Sequence, residues 1–432
     1  MKQLRYLITI AILGATVLAG CGVFSGRPGW PDVADAQIGA LNWTSYGLGG
    51  SHNTVVDPGA NFSANWTRQF SQPLMQPAVV RGVVYVGGIG TQPAVYALNA
   101  KTGKTLWKTP LDNQVMTTPV VVNGEVFVGT GNHNFPVSHV PQYGTNIVRG
   151  NGPNAIYALS AKNGKIIWKH STPGENMPTF VYRNNTLYSA NGSDEVLALN
   201  ATNGQTQWKL PIGSYVSMSS PELVGNLLYF GGAHPYAMYA INVKTHRIQW
   251  MHTFPHPLGG SDDVSPAVSG NNVYVDAVVA VHGKPHEVFY AFNRQNGRLE
   301  WTFDEGTGKI PHGPHGGPRD ETVAPLVHNN TIYIGSPLNN ILYALNSQNG
   351  QLLWKQQLNG TLMQSPIAHN GILYVGDTKG RFLAIQASNG KILGSRQFKG
   401  PFMPSSPVLV GHTIFTGTRL GEFMAVPLST LH

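Results

Sequence analysis

The sequence predicts an all-β protein, an eight-bladed β-propeller of four-stranded blades closed by an N-terminal strand that completes the last blade. Three observations carry this expectation. One hairpin unit recurs seven times at a period near forty residues, a second hairpin precedes each copy, and a lone strand stands ahead of the first.

The recurring unit reads VYALNAKTGKTLWK at 95–108. An apolar run, a turn of Asn, Lys, Thr and Gly, and a second run ending in Trp make a β-hairpin, with Gly103 supplying the positive φ of the turn. The unit returns at 156–169, 196–209, 238–250, 289–301, 342–355 and 382–394. Ahead of it comes a strand–turn–strand that opens on Pro77 in the first repeat, with counterparts at Pro119, Pro178, Pro221, Pro266, Pro325, Pro366 and Pro407. That makes eight first pairs against seven complete second pairs, because the last repeat stops at 423–426 without its final strand. The missing strand lies at the other end, where residues 65–68 carry Trp66, the residue type that closes a repeat. Joining the two ends closes the ring and leaves only short, protected sheet edges. An open solenoid would leave both ends unpaired and gives no reason for a split repeat.

Length and charge fit one such ring over residues 41–432. Lys and Arg number 28 against 20 Asp and Glu, with no basic run, which argues against a nucleic-acid partner. Charged residues are only 11% of the chain, a composition that suits life in acid, where carboxylates are neutralised anyway. Residues 1–20 read as a secretory signal: Lys2 and Arg5 precede an apolar segment at 6–18, too short for a comfortable membrane span. It ends Leu18-Ala19-Gly20-Cys21, which resembles a bacterial lipobox and implies cleavage before Cys21 with lipid on its sulfur. Cys21 is the only cysteine, so the mature chain would have no disulfide. Gly22 in place of Asp favours the outer membrane, and the Gly/Pro/Asp-rich stretch 21–40 reads as a flexible tether.

The Ala-Leu-Asn-x-x-x-Gly-x-x-x-Trp unit resembles the tryptophan-docking repeat of pyrroloquinoline-quinone-type propellers. That superfamily includes quinoprotein alcohol dehydrogenases, tetrathionate hydrolases and BamB, the lipoprotein of outer-membrane protein assembly. The segment Asn42-Trp43-Thr44-Ser45-Tyr46-Gly47 resembles the opening segment of these chains. The resemblance is specific for the fold; one propeller serves many chemistries.

In a four-stranded blade A-B-C-D, the A–B and C–D turns share one face, and the B–C and D-to-next-A connections share the other. The first set is uniformly tight here, whereas every insertion falls in the second. The insertions cover 131–154, 251–263, 275–287 and 302–322, and they carry half of the sixteen histidines. Loops mounted on a rigid scaffold carry function, so this is the expected working face, with Asn132, His133, His256, His312, His315 and Arg319 as candidate ligand-face residues.

Each candidate site has a plainer reading beside it. Trp66, Trp107, Trp168, Trp208, Trp250, Trp301 and Trp354 are expected to dock each blade on the next and bury apolar area. The remaining two of the nine, Trp30 and Trp43, lie near the N-terminus, leaving none as the aromatic floor that quinoprotein dehydrogenases use under their cofactor. Their vicinal cysteine pair is impossible with one Cys. Gly129-Thr130-Gly131-Asn132 resembles the segment supplying an asparagine calcium ligand in those enzymes, but the carboxylate expected between Pro77 and Lys108 is absent. Thr172-Pro173-Gly174-Glu175 resembles their catalytic-base segment, with Pro178 near where the Asp should stand. Pyrroloquinoline quinone and calcium are therefore not expected, and neither is any other cofactor.

Asp262 and Asp263 form the acid–base candidate, since Gly259–Pro266 leads into an innermost strand lining the central channel. Burial there would raise a carboxyl for proton transfer; the plainer reading is an Asx turn. His312-x-x-His315 beside Arg319 is a weak metal signal without cysteine, and no metal site is expected. On balance the sequence favours a lipid-anchored, non-catalytic scaffold resembling BamB, facing the periplasm from the outer membrane with protein partners there. The alternative is an enzyme with its site on the loop-rich face, either a cofactor-free hydrolase resembling tetrathionate hydrolases or a degenerate quinoprotein dehydrogenase. One observation separates them: an enzyme requires Asp262 or Asp263 buried beside a convergent Arg or His, whereas a scaffold has an open channel mouth.

Overall fold

In the computed structural model, residues 62–132, 137–138, 147–150, 152–310, 323–362 and 364–431 are described. They form eight antiparallel sheets arranged as a propeller, plus one two-stranded hairpin. The repeat maps onto the sheets one to one. Blade one, for example, runs Ala78–Val80, Val83–Gly88, Ala94–Asn99 and Thr105–Pro110 from the axis outward. Innermost strands are only three residues long, and the middle strands are buried and mostly apolar on both faces because each sheet is packed between two neighbours. Outermost strands alternate instead, as in Ile166–Ser171, where Trp168 is buried between exposed residues.

The eighth blade closes the ring. Trp66–Gln69 pairs antiparallel with Glu422–Pro427, Trp66 opposite Ala425, and supplies the fourth strand beside Thr413–Gly417 and Val408–Val410. Phe415 and Phe423 lie 6.0 and 6.1 Å from the Trp66 ring, so an aromatic cluster clasps the two chain ends together.

The Trp and the Gly of the repeat are one device. Trp66 Nε1 donates to Ala100 O at 2.8 Å, and its ring lies where a Cβ on Gly103 would stand, 2.7 Å away. Trp107, Trp168, Trp250, Trp301 and Trp354 cover Gly164, Gly204, Gly297, Gly350 and Gly390 of the following blade in the same way. The turn glycine therefore answers two demands, a positive φ and room for the neighbour's indole. Blade four has His246 at that turn with φ 54°, and its imidazole stacks on Trp208 at 4.5 Å instead. In blade seven Gly394 replaces the Trp; the next blade takes its last two strands from opposite chain ends and has no turn to cover.

Two details differ from the sequence reading. In blade three the innermost strand is Val181–Arg183, so Phe180, not Pro178, holds the place of the repeat proline. Blade five absorbs its extra sequence as β-structure: Asn272–Val281, Lys284–Asn293 and Leu299–Thr307 are lengthened strands, and Pro257–Gly259 adds a fifth. Among the described residues, no helix is long and apolar enough to cross a membrane.

Candidate active site on the propeller axis

In three successive blades the residue four places ahead of the innermost strand is a methionine. It is Met116, Met177 and Met218 ahead of Val120–Val122, Val181–Arg183 and Glu222–Val224. Ahead of Ala267–Ser269 it is Asp263. One place before each strand's leading Pro or Phe, a hydroxyl stitches neighbouring blades. Thr118 N–H donates to Thr179 Oγ1 at 3.2 Å, Thr179 N–H to Ser220 Oγ at 2.9 Å, and Ser220 N–H to Ser265 Oγ at 2.9 Å. This girdle fixes the register in which one methionine position has become a carboxylate.

Asp263 Oδ1 is buried without a hydrogen-bond partner, and Asp262 is buried beside it. The Asp262 carbonyl accepts from the amides of Met218 and Ser219 at 2.9 and 2.8 Å, which ties this connection to the blade before it.

Arg149 converges on the same place from blade two. It ends the short hairpin Val137–Ser138 with Val148–Arg149, which sits in that blade's B–C insertion. Backbone bonds latch it to the third blade: Arg149 N–H donates to Gly192 O at 2.8 Å, and Glu175 N–H donates to Arg149 O at 3.0 Å. Its guanidinium pairs with the Glu175 carboxylate, touches Met177 Sδ at 3.9 Å, and lies 5.7 Å from the Tyr215 ring centre. Burial works to lower the Arg149 pKa, but the charges of Glu175, Asp263 and Asp262 overcome it and hold the guanidinium firmly protonated.

Glu175 is fully buried, and its Oε2 has no hydrogen-bond partner. Gly131, Gly150 and Gly192 wall it in, each so close that a Cβ would come within about 3.1 Å of its atoms. Burial pushes its carboxyl up to about 7, against the pull of Arg149 and with help from Asp263. Tyr215 is raised as well, by burial first and then by the Asp262 charge.

The site thus unites residues from three successive D-to-A connections, carrying Glu175, Tyr215 and Asp262–Asp263, with Arg149 from a B–C insertion. All four segments belong to the face that carries the insertions. It holds a fixed cation, a carboxyl poised near 7 and two further carboxylates, a set able to bind an anionic group and move a proton beside it.

The other sequence candidates distribute differently. Asn132 follows Gly131 at the rim of the Glu175 cage. His256 is exposed, with φ 44°. His252 packs its ring 4.6 Å from Phe292, and His286 pairs with Asp304 at 2.9 Å. Cys21, His133, His312, His315 and Arg319 lie outside the described residues. Among the described residues, no group of three His, Cys, Asp or Glu could hold a metal. Arg149 and Tyr215 went unmarked in the sequence; the available signal was a lone arginine in an insertion followed by Gly150 and Gly152.

A family model described as outer membrane protein assembly factor BamB matches residues 33–214, 152–284 and 284–430. The chain belongs to that family. Among curated proteins, it is similar to the tetrathionate hydrolase of Acidithiobacillus ferrooxidans, 34% identical over 298 residues that cover 66% of this chain and 58% of that protein. The tetrathionate hydrolase of Acidianus ambivalens is 29% identical over 315 residues, 68% of this chain and 57% of that protein. This chain therefore spans somewhat over half the length of the curated relatives it matches. Among solved structures, BamB from Moraxella catarrhalis superposes with a TM-score of 0.60 at 15% identity, over 83% of this chain and 98% of that one, a likeness of fold alone.

Proposed function

We propose that this chain is an enzyme, a cofactor-free hydrolase of an anionic sulfur compound of the tetrathionate class. The observation that carries the proposal is the convergence of half-buried Arg149 on Asp263 and on buried Asp262 and Glu175, the arrangement an enzyme requires and a scaffold does not. Two relatives named tetrathionate hydrolase, at 34% and 29% identity, support the substrate class.

In this reading Arg149 holds a terminal sulfonate, and an axial carboxylate, Asp263, takes the proton of the attacking water. A new S–O bond forms at the sulfonate sulfur, and the adjoining S–S bond breaks with its electron pair leaving on the sulfane sulfur. Tetrathionate and water thereby give sulfate, a sulfane monosulfonate and two protons. In acid Glu175 is protonated, so the Arg149 charge is available to the substrate anion. The chemistry requires no quinone.

The test is turnover of tetrathionate by the full-length protein in acid, read by ion chromatography as sulfate and as the thiosulfate left when the sulfane monosulfonate sheds a sulfur atom. Asp263→Asn is expected to lower kcat by at least about a hundredfold, the scale of losing a general base, with the melting temperature kept. Full activity in Asp263→Asn, or no turnover by wild type between pH 2 and 7, would sink the proposal.

One observation favours the scaffold as a second reading. Ile166, Ile167, Leu352, Leu353, Ile392 and Leu393 stand exposed in pairs on outermost strands, an apolar periphery that a protein partner could cover. Either reading is compatible with a lipid-anchored protein held at Cys21 on the periplasmic side of the outer membrane. The intact mass of the mature N-terminus tests that anchor.

A further inference from the structure

The axis beside the acidic cluster is lined with sulfur. A cavity of about 40 Å³ is walled by Met75, Met116, Met177 and Met218, one methionine from each of four consecutive blades. Thr118, Thr179 and Ser220 of the hydroxyl girdle also line it, with their backbone amides already committed between blades. The cavity adjoins the site directly: Arg149 donates toward Met177 Sδ at 3.9 Å, and Met218 N–H donates to the Asp262 carbonyl. Among the described residues, no ionisable side chain lines the cavity.

We propose that this thioether pocket holds the uncharged sulfane sulfurs of a polythionate while Arg149 holds its terminal sulfonate, and that the pocket thereby selects chain length. The proposal rests on the hydrolase reading and deepens it. A polythionate has hard, hydrated ends and a soft, polarisable middle. Divalent sulfur accepts hydrogen bonds poorly, so the matching surface is one of thioether sulfurs and methyls, which give dispersion contacts and adapt in shape. A soft metal cation fits this pocket poorly. The Arg149 guanidinium at its edge repels a cation and already points a donor at one thioether. Size sets the selection. At roughly 10–15 Å³ per water-sized occupant, the cavity holds about three waters or about two of the larger sulfur atoms. Tetrathionate carries two sulfane sulfurs between its sulfonates, trithionate one and pentathionate three.

The test titrates tetrathionate, trithionate, pentathionate and sulfate into full-length Asp263→Asn, with and without Met177→Leu plus Met218→Leu. These volume-conserving changes are expected to keep the fold, and a Met75→Leu single variant serves if the pair does not. Tetrathionate is expected to bind tighter than the other two polythionates, and the leucines to weaken it about tenfold while leaving sulfate unchanged. Tetrathionate affinity indifferent to the leucines, or equal loss for sulfate, overturns the pocket even if wild type turns tetrathionate over. Tetrathionate bound in a leucine-sensitive way but never cleaved by wild type overturns the hydrolase reading and keeps the pocket. No binding of any polythionate overturns both.

Discussion

Glu175 makes a quantitative prediction about acid. Its carboxyl is fully buried and raised from 4.5 to about 7, chiefly by desolvation. A carboxyl raised in the fold binds its proton more tightly there than in the unfolded chain. Its contribution is therefore complete below about 4.5 and is lost as pH rises through about 7. At about 1.4 kcal/mol per tenfold, that interval corresponds to about 3.5 kcal/mol of stability. A chain of 432 residues melts with an entropy of about 0.9 kcal/mol per kelvin, so the loss appears as about 4 °C in Tm. The perturbation is Glu175→Gln, which keeps the shape and the acceptor oxygen and cannot ionise. The assay is thermal unfolding of wild type and variant from pH 4 to pH 8. A constant offset, from the packing of the amide in place of the neutral carboxyl, cancels in the slope. Wild type is expected to lose about 4 °C more than the variant across this range. Parallel curves would refute the reasoning, because they would mean Glu175 ionises equally in the folded and unfolded chain.

Two further outcomes follow from the same structure. Trp66→Ala removes the indole that covers Gly103 and packs on Phe415 and Phe423, at a cost of about 3 kcal/mol. Because this strand closes the ring, limited proteolysis should cut the variant first near its chain ends; a loss below about 1 kcal/mol would show that closure does not depend on Trp66. Glu305 lies fully buried, raised well above the ordinary glutamate range by burial and then by the charges of Asp276 and Glu287. Glu305→Gln should therefore raise Tm at pH 8 and leave it unchanged at pH 4, and equal effects at both would count against that charge cluster.

Much of the fold was legible because its signals are local. A turn glycine, a terminal tryptophan and a repeat proline each act within one hairpin or on the next, so their spacing counts the blades. Even the split of the last blade was visible, as Trp66 stands ahead of a repeat set that lacks one strand. Blade five misled on detail, since the His-bearing 275–287, set off by its extra length, reads as a loop. In the fold it continues two lengthened strands, paired Val278 to Glu287 and Val279 to His286. The Val/Ala-rich run 275–281 ending at His282-Gly283 was itself a hairpin signal, and counting the segment as an insertion passed over it.

The site was half legible. Asp262 and Asp263 stood out as adjacent carboxylates leading into an inner strand, and Glu175 through a resemblance to another catalytic segment. Arg149 carried no such mark, and neither did the methionines at 116, 177 and 218, which look like ordinary apolar residues until the blades are in register. By itself the sequence determined a ring of eight blades, the face that carries its insertions, and a chain poor in charge. Only the tertiary structure decided that an arginine from blade two, a glutamate after it and an aspartate after blade four meet on one axis. Ring closure brings the connections between blades within a few ångströms of one another whatever their separation in sequence, and there burial sets which of them stay charged.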